Sequence, residues 1–193
     1  GKHLLNLGVK HLKLVARCGI LCEGADMNPA QREMAERTNP EHMRGHLAEA
    51  LRGADVFVGV SAPGVVSEEM IRSMAKDPIV FPMANPVPEI APELAKAAGA
   101  AVVGTGRSDH PHQINNVLGS PGLLRGALDV RASRINEAMK QAASYALADL
   151  IPEEELNAEH IIPAAFDPRV GPAVAEAVKK AAIESGAARK LDD

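Results

Sequence analysis

The sequence predicts an α/β domain built on a parallel sheet, and three observations carry that expectation. Short apolar runs of four to six residues alternate with segments of helical period. Several of those runs empty into loops dense in glycine, proline and amide side chains. With no Trp, one Tyr and three Phe, the core has to be built from Val, Ile, Leu, Met and Ala, which suits buried parallel strands.

Taken in order, residues 4–9 read as the last turns of a helix stopped at Gly8. Residues 12–16 read as a strand. Asn28 and Pro29 open a helix to about Arg37, with Asn as the cap and Pro at the first helical position. A short helix follows over 46–51. Residues 55–60 form an apolar run expected to be a buried strand. Ser67, followed by Glu68 and Glu69, opens a helix to about Ala75. Strands at 79–84 and 100–103 flank a helix at 92–98.

Beyond Pro121 the pattern becomes helical. A short helix is expected over 123–130 and a long one over 132–150, with Ile135, Met139, Ala142, Ala146 and Leu150 at helical spacing. Pro152 stops it. A short helix and an extended link cover 153–162. A last helix spans 172–185, with Val174, Ala177, Val178 and Ala181 on one face, and 187–193 reads as a frayed tail. The expected division is a sheet domain at 1–130 and a helical extension packed on it at 131–193.

A net charge of −4 gives no electrostatic footprint for nucleic acid or an anionic membrane. No apolar run approaches the roughly 20 residues of a spanning helix, and residues 1–5 lack the pattern of a signal peptide. Cys18 and Cys22 make neither a disulfide framework nor a four-ligand metal set. They are expected as small core or loop residues in a reducing, cytoplasmic setting.

Ligands of parallel sheets sit where loops leave the carboxyl ends of strands. Three such loops stand out, at 59–64, 84–88 and 104–117. Pro86 holds Asn85 out of the helical region; its amide can serve a carboxamide or carboxylate ligand, or close an Asx turn on its own backbone. Asn115 and Asn116, side by side, point roughly 100° apart in a helical turn. They can face a ligand, or simply cap a helix. Ser108, Asp109 and His110 are triad residue types, but three consecutive side chains fan apart and cannot form the relay. His110 and His112 are at most half a metal site, and His42 and His46 read as solvated. The G-x-G-x-x-G turn of a dinucleotide fold is absent. So is the acid expected at the end of the ribose-binding strand, where Ala16 and Arg17 stand instead.

Five stretches in register resemble the malic enzyme family, most closely its short bacterial form. They are 60–64 (VSAPG), 83–90 (MANPVPEI), 104–109 (GTGRSD), 113–117 (QINNV), and 121–129 with Pro121-Gly122 and RGALD. Ile162-Pro163 and residues 166–170 (FDPRV) match its C-terminal signature. The resemblance implies a Rossmann-like NAD(P)-binding domain whose first strand and glycine loop are missing, with C-terminal helices. It implies a part of an enzyme that oxidises malate and decarboxylates the product to pyruvate and carbon dioxide, with NAD or NADP and a divalent Mg or Mn. Asn115 and Asn116 are implied to bind substrate, with Asn115, Asn85, Ser61 and Ala62 on the cofactor side. Arg17 is placed to receive the 2′-phosphate of NADP. The catalytic tyrosine and lysine and the metal ligands are implied to belong to a missing N-terminal half, leaving this stretch inactive alone, in a homodimeric enzyme. His110 and His112 stand where the family more often has an aromatic residue and an asparagine. The competing reading is a non-catalytic Rossmann-like module that binds a nucleotide or a partner chain.

Overall fold

A computed structural model describes residues 1–22, 27–106 and 113–189. The chain divides into two compact units, Gly1–Val103 and Gly104–Asp193.

In the first unit, α1 (Lys2–Asn6) ends before Gly8, which takes φ +94° as a glycine stop requires. The strand expected at 12–16 shrinks to β1 (Val15–Ala16), paired antiparallel with β2 (Gly19–Ile20) in a separate two-stranded sheet. The carbonyls of Leu14 and Leu12 accept from Leu21 N and Asn39 N, so this stretch is bonded to its own hairpin and to the residues after α2, not to the parallel sheet. Helix α2 (Pro29–Arg37) starts where its cap demands. Asn28 Oδ1 accepts from Gln31 N at 2.9 Å, and Gln31 Oε1 accepts from Asn28 N at 3.0 Å. Helix α3 (Leu47–Leu51) follows His46.

The parallel sheet then forms from β3 (Val56–Gly59), β4 (Ile79–Pro82) and β5 (Val102–Val103), in the order β3-β4-β5. Helix α4 (Glu68–Arg72), capped by Ser67 Oγ, and helix α5 (Pro92–Ala97) make the crossovers. Phe57, Ile71, Met74, Val80, Ile90, Ala95 and Val103 form one buried cluster on this sheet. Burial of this kind contributes on the order of 25 cal/mol per Å² of apolar surface. β3 is not the fully buried strand that its apolar run suggested. Phe57 and Gly59 are buried, while Val56 and Val58 are 48% and 44% exposed. The described chain therefore covers one face of that strand, and side chains alternate across it.

The second unit holds three helices, α6 (Asn116–Asp129), α7 (Glu137–Ala148) and α8 (Val170–Glu184). Helix α6 begins well before the expected start at 123 and carries Pro121 in its interior. A proline there removes one backbone donor. Packing outweighs that loss, because Leu118, Gly122, Gly126 and Ala127 of the same helix are all buried. A Cβ added at Gly122 would lie 2.6 Å from Cβ of Val174, and one at Gly126 would lie 2.9 Å from Cβ of Val178. The two glycines thus let α6 approach α8 closely. Helix α7 starts at Glu137 and not near 132, because Asn136 Oδ1 caps it through Met139 N at 3.1 Å. Residues 153–162 form turns and an Asn157–His160 bridge instead of a short helix. The tail is docked as far as Arg189. Ala187 is 1% exposed, its carbonyl accepts from Ser133 N and Oγ, and Arg189 N donates to the Val130 carbonyl. No described helix is long and apolar enough to cross a membrane.

Candidate functional site

The loops leaving β3 and β4 are built as one piece. Gly59 pairs with Pro82 in the parallel register, and its carbonyl accepts from Met83 N at 3.1 Å. Past the strand ends the two chains stay stitched: Gly64 N donates to the Pro88 carbonyl and Val66 N to the Glu89 carbonyl, each at 3.1 Å. Gly64 turns the first loop at φ +66°, and Val66, 5% exposed, returns it to the core. Ser61, Ala62, Asn85, Pro86 and Val87 are left on the outside. The Asn85–Pro86 peptide is cis.

Beneath this lip lies Glu89, which is wholly buried. Its Oε1 accepts from Ser61 N at 2.7 Å and from Ser61 Oγ at 3.0 Å, and its Oε2 accepts from Ala84 N at 3.0 Å. Three donors thus converge on a group that accepts through both oxygens. Room for it comes from Gly59, where a Cβ would sit 2.5 Å from the Glu89 Cδ. Sequence reasoning gave Glu89 no role. The signal was a single acid between Pro88 and Ile90, in an otherwise uncharged stretch that follows the strand at 79–82.

Ser61, Ala62 and Asn85 therefore sit on two adjoining loops at the carboxyl ends of neighbouring parallel strands. Arg17 lies elsewhere in the unit, exposed in the turn that joins β1 to β2.

In the second unit, Thr105 is 1% exposed and bridges in parallel to Gln113, and Ile114 N donates to the Thr105 carbonyl at 2.9 Å. Asn115 then caps α6: its Oδ1 accepts from Val117 N at 3.2 Å. That bond uses the carbonyl oxygen of the amide and not its NH2 group. Asn116 is the first residue of the helix, and both asparagines are exposed. Ser108, Asp109, His110 and His112 lie outside the described residues.

Among the described residues, no group of three or more His, Cys, Asp and Glu side chains could hold a metal ion. Cys18 is exposed and Cys22 half-buried, and both are free thiols. Among the described residues, the most strongly lowered carboxyl group is in the FDPRV stretch. Hydrogen bonds from the Arg169 side chain and backbone N–H hold the Asp167 carboxyl at about 2. That pair organises the start of α8. The polar side chains on these two loops are neutral, the Asn85 amide exposed and the Ser61 hydroxyl turned to Glu89. They suit sugar hydroxyls and carboxamides better than free charges.

Residues 7–183 match the family model described as malic enzyme, NAD binding domain. The chain is 55% identical to the bifunctional malic/malolactic enzyme of Bacillus subtilis over 97% of its own length and 46% of that protein's. It is 50% identical to the NAD-dependent malic enzyme of Geobacillus stearothermophilus, over 98% of this chain and 40% of that one. Among solved structures, the malic enzyme of Entamoeba histolytica superposes with a TM-score of 0.92 at 40% identity, covering all of this chain and 41% of the other. The NAD-dependent malic enzyme of Thermotoga maritima gives 0.87 at 48% identity, over 92% and 47%. The chain thus spans less than half the length of each of these relatives.

Proposed function

The chain belongs to the malic enzyme family, as its NAD-binding domain, and from that premise we propose that it is the cofactor-binding part of an enzyme converting malate to pyruvate and carbon dioxide with NAD or NADP. The observation that carries this reading is the pair of strand-end loops locked together over Glu89, with Ser61, Ala62 and Asn85 presented outward. Sheet edges of this kind are where α/β domains hold nucleotides. The bound cofactor supplies the hydride acceptor. The residues of this chain bind and orient it. The Ser61 oxygen, which can still accept while its proton goes to Glu89, would with Ala62 meet the ribose side, and the Asn85 amide the nicotinamide half. On this reading Asn116 holds a substrate carboxylate, and Asn115 offers its NH2 group nearby while its oxygen caps α6.

The groups that break bonds, a tyrosine, a lysine and the acids that hold Mg or Mn, are assigned to the other half of the polypeptide. By the family resemblance, Arg17 following Ala16, where a ribose-binding acid is expected, points to NADP or to weak discrimination between the two cofactors.

Two measurements test this. The full polypeptide is expected to reduce NADP with malate and Mg or Mn, whereas the 193-residue chain alone is expected to show no malate-dependent reduction above a metal-free blank. Titration of the full enzyme with both cofactors then tests the Arg17 assignment. A preference for NAD of about tenfold or more, close to 1.4 kcal/mol, removes it.

A further inference from the structure

We infer that Glu89 is the positioning residue of the cofactor lip: it never meets the cofactor, but sets where Ser61 and Asn85 stand when the cofactor arrives. This rests on the reading of Ser61 and Asn85 as cofactor contacts. The two loops carry their outward groups on exposed backbone, so burial of those groups cannot order them. What orders them lies underneath. One carboxyl group takes the N–H and hydroxyl of Ser61 through Oε1 and the N–H of Ala84, the residue before Asn85, through Oε2. It thereby ties the first residues of one loop to the first residues of the other, across a contact 28 positions apart in sequence. Unpaired buried N–H groups are costly, so the loop geometry follows the carboxyl group.

The chemistry of the acceptor makes this testable without changing size. Glutamine has the shape of glutamate but only one acceptor oxygen. With two backbone N–H groups converging on opposite oxygens, either orientation of Glu89→Gln points an NH2 group at a backbone N–H. Gly59→Ala displaces the same carboxyl group sterically without changing the side chain itself, since the new methyl would lie 2.5 Å from Cδ and 2.7 and 2.8 Å from the oxygens.

The experiment is a fluorescence titration of the full-length enzyme with NADH and NADPH, held well below the unfolding midpoint. It compares wild type, Glu89→Gln, Gly59→Ala, Asn85→Ala and the double variant Glu89→Gln/Asn85→Ala. Each of the first three variants is expected to raise Kd for the reduced cofactor by about tenfold or more. In the Asn85→Ala background, Glu89→Gln is expected to add clearly less than its effect alone, because part of that effect runs through Asn85. Unchanged Kd in both Glu89→Gln and Gly59→Ala, with a lowered unfolding midpoint, overturns the inference and leaves Glu89 a brace of the fold alone. Full additivity in the double variant also overturns it. If Glu89→Gln does not fold, Gly59→Ala decides by the same criterion. A wild-type enzyme that binds neither NADH nor NADPH removes the cofactor-binding reading itself, a result distinct from either of these.

Discussion

The strand-end loops at 59–66 and 84–90 and the helices α6 to α8 are ordered by opposite means. The loops hang on hydrogen bonds: a buried carboxyl group with three donors, and backbone bonds from Gly64 and Val66 to the facing loop. The helices hang on shape: valines of α8 fill the space that glycines of α6 leave open, and Met139 of α7, with no exposed surface, closes the cluster. The difference follows from what each must keep outside. Ser61 and Asn85 stay exposed on these loops, so their positions are set by polar contacts beneath. A helical bundle can bury one face of every element and gain its order from close packing.

Volume changes should therefore dominate in the second unit. Met139→Ala empties a fully buried position and is expected to cost about 2–5 kcal/mol, read as a loss of unfolding free energy in denaturant. A cost below about 1 kcal/mol, the size of a conservative core change, would show that the cluster around α7 collapses freely and would blur the contrast. Next comes Gly126→Ala, whose methyl meets both the Ala175 carbonyl and Val178. Overpacking against backbone is expected to cost about 1–3 kcal/mol. Gly119, in the same helix, has nothing within 4 Å of an added Cβ. Gly119→Ala is expected to stabilise by about 0.5–1 kcal/mol through helix propensity. Two glycine-to-alanine changes in one helix should thus have opposite signs. Equal effects would mean that propensity, and not the close approach to α8, governs both.

In the lip the sensitive variable is the acceptor, not the volume. Ser61→Ala removes the Oγ bond to Glu89 but keeps the backbone N–H bond at 2.7 Å. A loss of only about 0.5–1.5 kcal/mol in unfolding free energy is expected. A larger loss would assign the anchoring to the hydroxyl and not to the backbone.

Much of this was legible in the sequence where the signal is local. Asn28 and Ser67 cap the helices that they were expected to cap, because a cap is a contact over three residues. The strands of the parallel sheet and the loops leaving them were also readable from apolar runs and their glycine and proline stops. What escaped depends on partners distant in sequence. Glu89 meets Ser61 28 positions away. Pro121 looked like a helix boundary, yet α6 runs through it because packing of Gly122 and Gly126 against α8 outweighs one lost backbone bond. The tail looked frayed because nothing local shows that the Ala187 carbonyl will meet Ser133, 54 positions back. The asparagine pair lies between these cases. The capping of α6 by Asn115 was one of two readings open in the sequence, and the bond to Val117 N shows that its oxygen does cap.

The smallest expected effect separates local electrostatics from both kinds of order. The Asp167 carboxyl sits at about 2 because the Arg169 side chain, and then its backbone N–H, donate to it. A carboxyl group lowered on folding stabilises the folded chain fully above its ordinary value near 3.8. The contribution fades as pH falls through about 2. Arg169 is exposed and the ion pair is screened by solvent, so the effect on stability is small. The pKa itself is the better readout. Carboxyl carbon NMR is expected to show Asp167 titrating near 2 in the wild type and moving upward toward 3.8 in Arg169→Gln. The backbone N–H bond survives that substitution and should keep the group somewhat below its ordinary value. A full return to 3.8 would mean that the guanidinium does all the work, and no shift would mean that the backbone does.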